Sequence, residues 1–435
     1  MTSRRCWLQT GTLTLLLAAS LFAQKTVPHA SAKNSPDIAQ AEAAMDQQQW
    51  PEAEAILRKL AAANPKDARA WFDLGYVMHA QGNYPEAITA YRGAVSAQPD
   101  SFECNLNLGL MLAHEKHPEA ARYLEKATRL KPTGTHPQES LAHAWAALAE
   151  LNANDQKSAL DAWARAVELS PADSQLRLAY GTALETSGDV TGAERELRKA
   201  VELQPNSADA LAAIANLYMR GKRFPEAEDT LLRLVSLAPG DESAHLQLGR
   251  VLSAEKKYEA ATAALQKALA LKSDDWEAMR ELAFAQERLK QWTPAETQYR
   301  RLLTQFPNDA DLHNGLGSVL LPQLKYAEAR DEFLHCVKLK PQWGEAYGQL
   351  ALAASGNKEY ELAIKSLDER KKLLPELPSS LFLRATCYDH LRMGAEAVES
   401  YKAFLAVSNG QFPNEEWEAR HRLIAIEPEA RKKKK

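Results

Sequence analysis

Eleven alanines, at positions 53, 87, 120, 159, 193, 227, 261, 295, 329, 363 and 397, recur through the chain, and eight of their ten spacings are 34 residues. A fixed period of that length restricts the fold more than any composition does. It implies short helix pairs, none able to bury its apolar side alone, stacked so that neighbours complete one another's core. The architecture expected is therefore an all-α solenoid. The question it raises is what the array binds rather than what it catalyses.

The alanines have companions at fixed offsets. Twelve residues after most of them stands a proline (Pro65, Pro99, Pro132, Pro171, Pro205, Pro239, Pro307, Pro341, Pro375), with Ser273 and Asn409 as the exceptions. Proline cannot continue a helix, so it ends each unit. Ten to twelve residues before each alanine the chain is always small: Ala41, Gly75, Gly109, Ala149, Gly181, Ala215, Gly249, Ala283, Gly317, Ala351 and Ala385. Glycine inside a helix costs about 0.5–1 kcal/mol relative to alanine, so five copies need a packing reason. The expectation is close approach, the small residue on a first helix facing the alanine on the second. A leucine at Ala227 or Ala261 would then overpack the contact by about 1–3 kcal/mol.

Within a unit, the first helix carries apolar residues three and four apart, as Leu246, Leu248, Val251 and Leu252 show. The second often opens with proline before Glu-Ala, as at Pro51, Pro85, Pro118 and Pro225. Proline suits the first helical position, and glutamate suits the positive N-terminal end. An aromatic precedes most of these starts: Trp50, Tyr84, Phe224, Tyr258, Trp292, Tyr326 and Tyr360. Their repeat register assigns them to inter-helix core rather than to a ligand box.

At the spacings of Trp71, Leu74, Gly75, Ala87, Tyr91, Ala94 and Pro99, the second unit resembles the tetratricopeptide repeat. Eleven units fit between Asn34 and Gln411, with one residue missing before Ala120 and five extra between Pro132 and Pro171. The organisation expected is units one to three at 34–134, an inserted joint at 135–142, units four to eleven at 143–411, a capping helix at 412–427 and a basic tail at 428–435. Thr133 to Ser140, containing Gly134 and Pro137, reads as inserted loop material, and Pro322 as a reshaped turn.

The resemblance implies a right-handed superhelix whose first helices line a concave groove, and it implies which unit positions face that groove. Near the N-terminal end these are Phe72, Tyr76, His79, Leu106 and Leu110; in unit six, Asn216 and Met219. Further on they are Arg250, Arg280, Phe284 and Glu287, then Asn314 and Ser318, and in unit eleven Phe382, Thr386 and Asp389. Relatives that hold a C-terminal carboxylate use lysine and asparagine, which units one to three do not supply. The partner implied is an extended segment or helix with apolar anchors, recognised by an apolar N-terminal stretch and a mixed-charge middle.

Outside the repeats, Arg4 and Arg5 precede an uncharged stretch whose most apolar part runs from Leu13 to Phe22. It is short for a membrane span and reads as a signal peptide at 1–23, cleaved after Ala23 or Ser20, followed by a linker at 24–33. Ser3 to Gln9 resembles the twin-arginine export motif, with Trp7 and Gln9 departing from it; a general secretory signal and an uncleaved anchor are the other readings. The location expected is periplasmic or secreted. After cleavage Cys104, Cys336 and Cys387 would remain, too far apart in repeat position for a structural disulfide.

No phosphate-binding loop, dinucleotide fingerprint, HExxH or CxxC is present in the chain. His114 with His117, and His335 with Cys336, lack a third ligand, so neither a metal nor a cofactor is expected. A net charge of −4 does not favour nucleic acid. Arg431 to Lys435 reads as a solvated basic tail, a membrane surface or polyanion being the alternative. The function expected is an exported, non-catalytic scaffold for protein or peptide partners. Two further readings stand beside it: a subunit of a periplasmic secretion, pilus or exopolysaccharide assembly machine, and an enzyme accessory or glycan-binding protein.

Overall fold

The computed structural model describes residues 36–133 and 135–433, with side chains to residue 427. The expected signal peptide at 1–23 and linker at 24–33 lie outside the described residues. Packing divides the chain into two compact units, one ending at Gly221 and the other beginning at Lys222.

In the first compact unit, first and second helices alternate. They are α1 (Pro36–Asp46) with α2 (Trp50–Ala63), α3 (Ala68–Ala80) with α4 (Tyr84–Ala97), and α5 (Phe102–His114) with α6 (Ala120–Arg129). Next come α7 (Pro137–Leu151) with α8 (Gln156–Leu169), α9 (Ser174–Ser187) with α10 (Val190–Leu203), and α11 (Ala208–Arg220). The second compact unit opens with α12 (Phe224–Leu237), then pairs α13 (Glu242–Ala254) with α14 (Tyr258–Leu271), and α15 (Trp276–Arg288) with α16 (Trp292–Gln305). It continues with α17 (Ala310–Leu320) and α18 (Tyr326–Leu339), α19 (Gly344–Gly356) and α20 (Tyr360–Leu373), and α21 (Pro378–His390) and α22 (Gly394–Ser408). A final helix, α23, spans Pro413–Lys433. Among the described residues there is no strand.

The ladder alanines are wholly buried, with Ala159 alone at 7% exposure. The small residues on the first helices do face the second helices, but the large side chain one turn past the alanine fills the space. A Cβ on Gly75 would lie 2.7 Å from the Tyr91 ring, one on Gly249 2.5 Å from Leu265, and one on Gly317 2.7 Å from Phe333. Each glycine is thus a seat for the residue four positions after the ladder alanine, which corrects the glycine-to-alanine contact expected from spacing. The alanine keeps the helix slim beside that seat.

Most joints are built by a short polar rule. After the proline comes one residue and then an acid or serine that caps the next helix: the side chains of Asp67, Ser101, Asp173, Ser207, Asp241 and Asp309 accept hydrogen bonds from backbone N–H groups of the first turn, and Asp275 does the same behind Ser273. Six residues after the proline a donor side chain returns to the proline's carbonyl. Trp71 Nε1 reaches Pro65 at 3.2 Å, Asn105 Nδ2 reaches Pro99 at 2.8 Å, and Arg177 Nε reaches Pro171 at 2.7 Å. His245 Nε2 meets Pro239 O at 3.1 Å and His313 Nε2 meets Pro307 O at 2.9 Å. Four residue types share one task, satisfying a carbonyl that the helix end leaves open. Units ten and eleven lack the side-chain cap: Trp343 and Leu377 occupy the capping position.

Stacking between units uses the aromatics found at most second-helix starts. Trp50 meets Tyr76 at 6.3 Å, Tyr258 meets Phe284 at 6.3 Å, and Tyr360 stacks on His390 at 4.6 Å. Tyr326 lies where a Cβ on Gly356 would stand, at 2.4 Å. Successive second helices are also joined by ion pairs, Arg58–Glu86, Arg92–Glu119, Arg300–Glu328 and Arg330–Glu359. Being partly exposed, each contributes only about 0–1 kcal/mol.

Two expected boundaries shift. The inserted joint at 135–142 is mostly helix, because Pro137 occupies the first turn of a 15-residue α7 and Glu139 complements its N-terminal end. The capping helix expected to stop at 427 continues to Lys433, through much of the expected tail. Pro322 lies in a 3-10 turn, Leu321–Gln323, directly after α17.

Candidate functional site

Beyond the pairing of each unit with the next, first helices also touch first helices: α5 meets α7, α9 meets α11, α13 meets α15, α17 meets α19 and α19 meets α21. The first helices therefore form the inner layer of each compact unit, and the side chains expected at the groove fall on them. Burial then separates these residues.

In the first compact unit the expected apolar lining is core. Phe72 is 2% exposed and sits edge-on to Tyr91 at 5.6 Å, while Leu106 and Leu110 are 2% and 6% exposed within the same cluster. The cause is α5, which is buried from Phe102 to Ala113. Its polar groups are turned inward as well: Asn107 Nδ2 donates to the Glu103 carbonyl at 2.9 Å, and Glu103 Oε1 accepts from Thr133 N at 2.8 Å and Oγ1 at 2.7 Å. Phe72, Leu106 and Leu110 are thus corrected from lining to core. Tyr76 is half-buried against Trp50, and His79 against Tyr84 at 5.7 Å, where burial and then the nearby His114 hold its imidazole below the usual range. Asn216 is exposed and Met219 half-buried.

In unit eleven the cap takes one expected position, Asp389, and packing within the unit takes the other two. Asp389 receives both Nε and Nη2 of Arg422 from α23, at 2.6 and 2.7 Å, and Tyr401 at 3.4 Å. Phe382 packs on Phe404 and Tyr401, at 5.2 and 6.1 Å, and the Thr386 hydroxyl donates to the Leu383 carbonyl. These three are engaged within the protein.

Between the two, on α13, α15 and α17, the face is open. Phe284 is 44% exposed, its ring edge against Tyr258, over which the Arg288 guanidinium lies 5.8 Å from the centroid. Arg250 binds Glu277 at 2.8 Å and Glu281 at 3.3 Å. Arg280 binds Asp309 at 2.8 Å. Burial pushes the Asp309 carboxyl up, but Arg280 and the α17 backbone N–H groups outweigh it and leave it below its ordinary value. Glu287 accepts from the Tyr299 hydroxyl at 2.9 Å, and burial raises its carboxyl. Asn314 and Ser318 are half-buried on α17. The surface thus offers an aromatic anchor between guanidinium and carboxylate groups already held in place, with an amide and a hydroxyl beside them.

Three features suited to chemistry resolve otherwise. His335 stacks on His313 at 5.1 Å, and Cys336 beside it is buried with its thiol pushed up to about 11. His114 lies against Tyr84 and Glu115, and His117 against Glu119. Among the described residues no group of three or more His, Cys, Asp or Glu side chains could hold a metal. Cys104, Cys336 and Cys387 are free and buried.

One tetratricopeptide repeat model matches residues 38–102 and 110–174, and a second matches 184–250 and 252–318, together more than half the chain. The chain belongs to the tetratricopeptide repeat family. Repeats of this family form protein-interaction scaffolds whose partners are proteins or peptides. No curated protein sequence matches the chain. Solved tetratricopeptide structures similar to it include YrrB, described as having an unusual peptide-binding site, at 21% identity and a TM-score of 0.41, covering 46% of this chain and 99% of that one. PilF of Pseudomonas aeruginosa is 20% identical with a TM-score of 0.40, covering 49% of this chain and 97% of that one. In the Cut9–Hcn1 hetero-tetramer, a chain 15% identical with a TM-score of 0.40 covers 89% of this chain and 96% of its own length.

Proposed function

We propose that this tetratricopeptide protein is an exported, non-catalytic scaffold that binds an extended peptide segment across α13, α15 and α17. The observation that carries the reading is the exposure of Phe284, the one aromatic among the two large apolar side chains, Phe284 and Leu352, that stand exposed on the described first helices. An aromatic anchor rimmed by oriented charges and hydrogen-bonding groups has the composition of an interaction hot spot. Because Arg250 and Arg280 are already paired, the ligand contributes an apolar side chain and backbone amides rather than a run of acids.

The test is selection of binding peptides from a random display library on the purified protein, followed by affinity measurement on a Phe284→Ala, Asn314→Ala double variant. The expected result is peptides with a recurrent apolar residue and at least a ten-fold loss with the variant. Peptides that bind the variant equally well would sink the site. Export is tested by N-terminal sequencing of the protein from fractionated cells, which should begin after Ser20 or Ala23; full-length chain found only in the cytosol would refute it.

A further inference from the structure

The last helix has two different sides. Ala419, Leu423 and Ile426 turn inward onto Tyr401 and Phe404, and the pairs Arg422–Asp389 and Lys402–Glu427 fix the orientation. With that side settled, Trp417, His421 and Ile424, spaced by four and three residues, form one outward stripe. Trp417 is 62% and Ile424 75% exposed, the latter the most exposed large apolar side chain among the described residues. The Trp417 and His421 rings lie 3.9 Å apart. The helical backbone continues to Lys433, and the sequence ends Arg431-Lys432-Lys433-Lys434-Lys435. In sequence Arg431 follows Ile424 by seven residues. Glu415, Glu416 and Glu418 fall off the stripe.

We propose that α23 and the basic end of the chain form a peripheral docking element for an anionic lipid surface. Tryptophan and isoleucine enter the headgroup and upper acyl region, where an amphipathic indole is at home, while the five basic residues meet lipid phosphates. Charge argues against the other occupants. A second copy seated on this stripe would bring two five-residue basic runs together. The segment 1–33 carries Arg4, Arg5, Lys25 and Lys33 and no acid. The whole chain has a net charge of −4, so attraction to an anionic surface has to be local, and 431–435 is the densest basic run in the sequence. Among the described residues no helix is long and apolar enough to span a membrane, so contact through α23 is peripheral.

Co-sedimentation of the full chain tests this, using vesicles of phosphatidylcholine alone and vesicles containing about a third phosphatidylglycerol. Binding is expected only to the anionic vesicles and should weaken at least ten-fold in 0.5 M salt. A Trp417→Ala, Ile424→Ala variant and a separate variant with residues 431–435 changed to glutamine should each lose at least ten-fold, with unchanged thermal unfolding. No binding to anionic vesicles, equal binding to both vesicle types, or a Trp417-dependent dimer in its place would overturn the proposal.

Discussion

Units three and eight place side chains at the same two register positions on their first helices: Leu106 and Leu110 in one, Arg280 and Phe284 in the other. The first pair is 2% and 6% exposed; in the second, Arg280 is partly exposed and Phe284 is 44% exposed. A repeat register fixes the direction in which a side chain points. Whether anything can reach it depends on what packs over that direction. In unit three α5 is buried along nearly its whole length; in unit eight the inner side of α15 is open. At these two register positions, apolar character marks core in Leu106 and Leu110 and an exposed aromatic in Phe284.

Truncation should separate the two most widely. Phe72→Ala or Leu106→Ala is expected to cost about 2–5 kcal/mol through lost burial and an unfilled cavity, whereas Phe284→Ala should stay within about 1 kcal/mol. Chemical denaturation checks this, and equal costs would erase the distinction. The next effect concerns the seats that fix both units: Gly109→Val and Gly249→Val should each destabilise by about 1–3 kcal/mol, because Leu124 and Leu265 stand within 2.8 Å of the added Cβ. Removing the α17 cap with Asp309→Ala should cost about 1 kcal/mol and also release Arg280, so peptide affinity should change along with thermal stability.

The last effect is a pH dependence, carried in the first compact unit by Asp73. Burial pushes the Asp73 carboxyl from 3.8 up to about 7, against the opposing pull of Arg69. The folded state then holds this proton more tightly than the unfolded one, so stability is lost as pH rises from about 4 to about 7. Asp73→Asn should raise the melting temperature at pH 8 more than at pH 4. A uniform shift across that range would mean that Asp73 is ionised throughout.

The alanine ladder, the closing prolines and the second-helix aromatics were legible in sequence because each repeats, and repetition separates packing from chance. The glycine's partner was misread because spacing along one helix does not say which residue of the neighbouring helix fills a gap. The joint rule was present as Pro-x-Asp or Pro-x-Ser before α3, α5, α9, α11, α13 and α17, but the donor that follows changes from tryptophan to asparagine, arginine and histidine, so it does not look like a repeat. Proline and glycine at Pro137 and Gly134 suggested loop, yet proline at the first helical turn starts a helix as readily as it ends one. At the candidate site, Phe284, Asn314 and Ser318 could be placed by register. That Phe72, Leu106 and Leu110 are covered, and that Asp389 is taken by Arg422, depends on contacts between residues far apart in the chain, which no local pattern carries.

The central claim is that the open inner face of the second compact unit, and not the apolar stretch of the first, takes the ligand. Calorimetric titration of one selected peptide against the parent protein, Phe284→Ala and Tyr76→Ala tests it most directly, with melting temperatures measured alongside. The account predicts at least a ten-fold loss for Phe284→Ala with melting nearly unchanged, and parent affinity for Tyr76→Ala. Undiminished binding by Phe284→Ala, with the loss appearing in Tyr76→Ala, would contradict it.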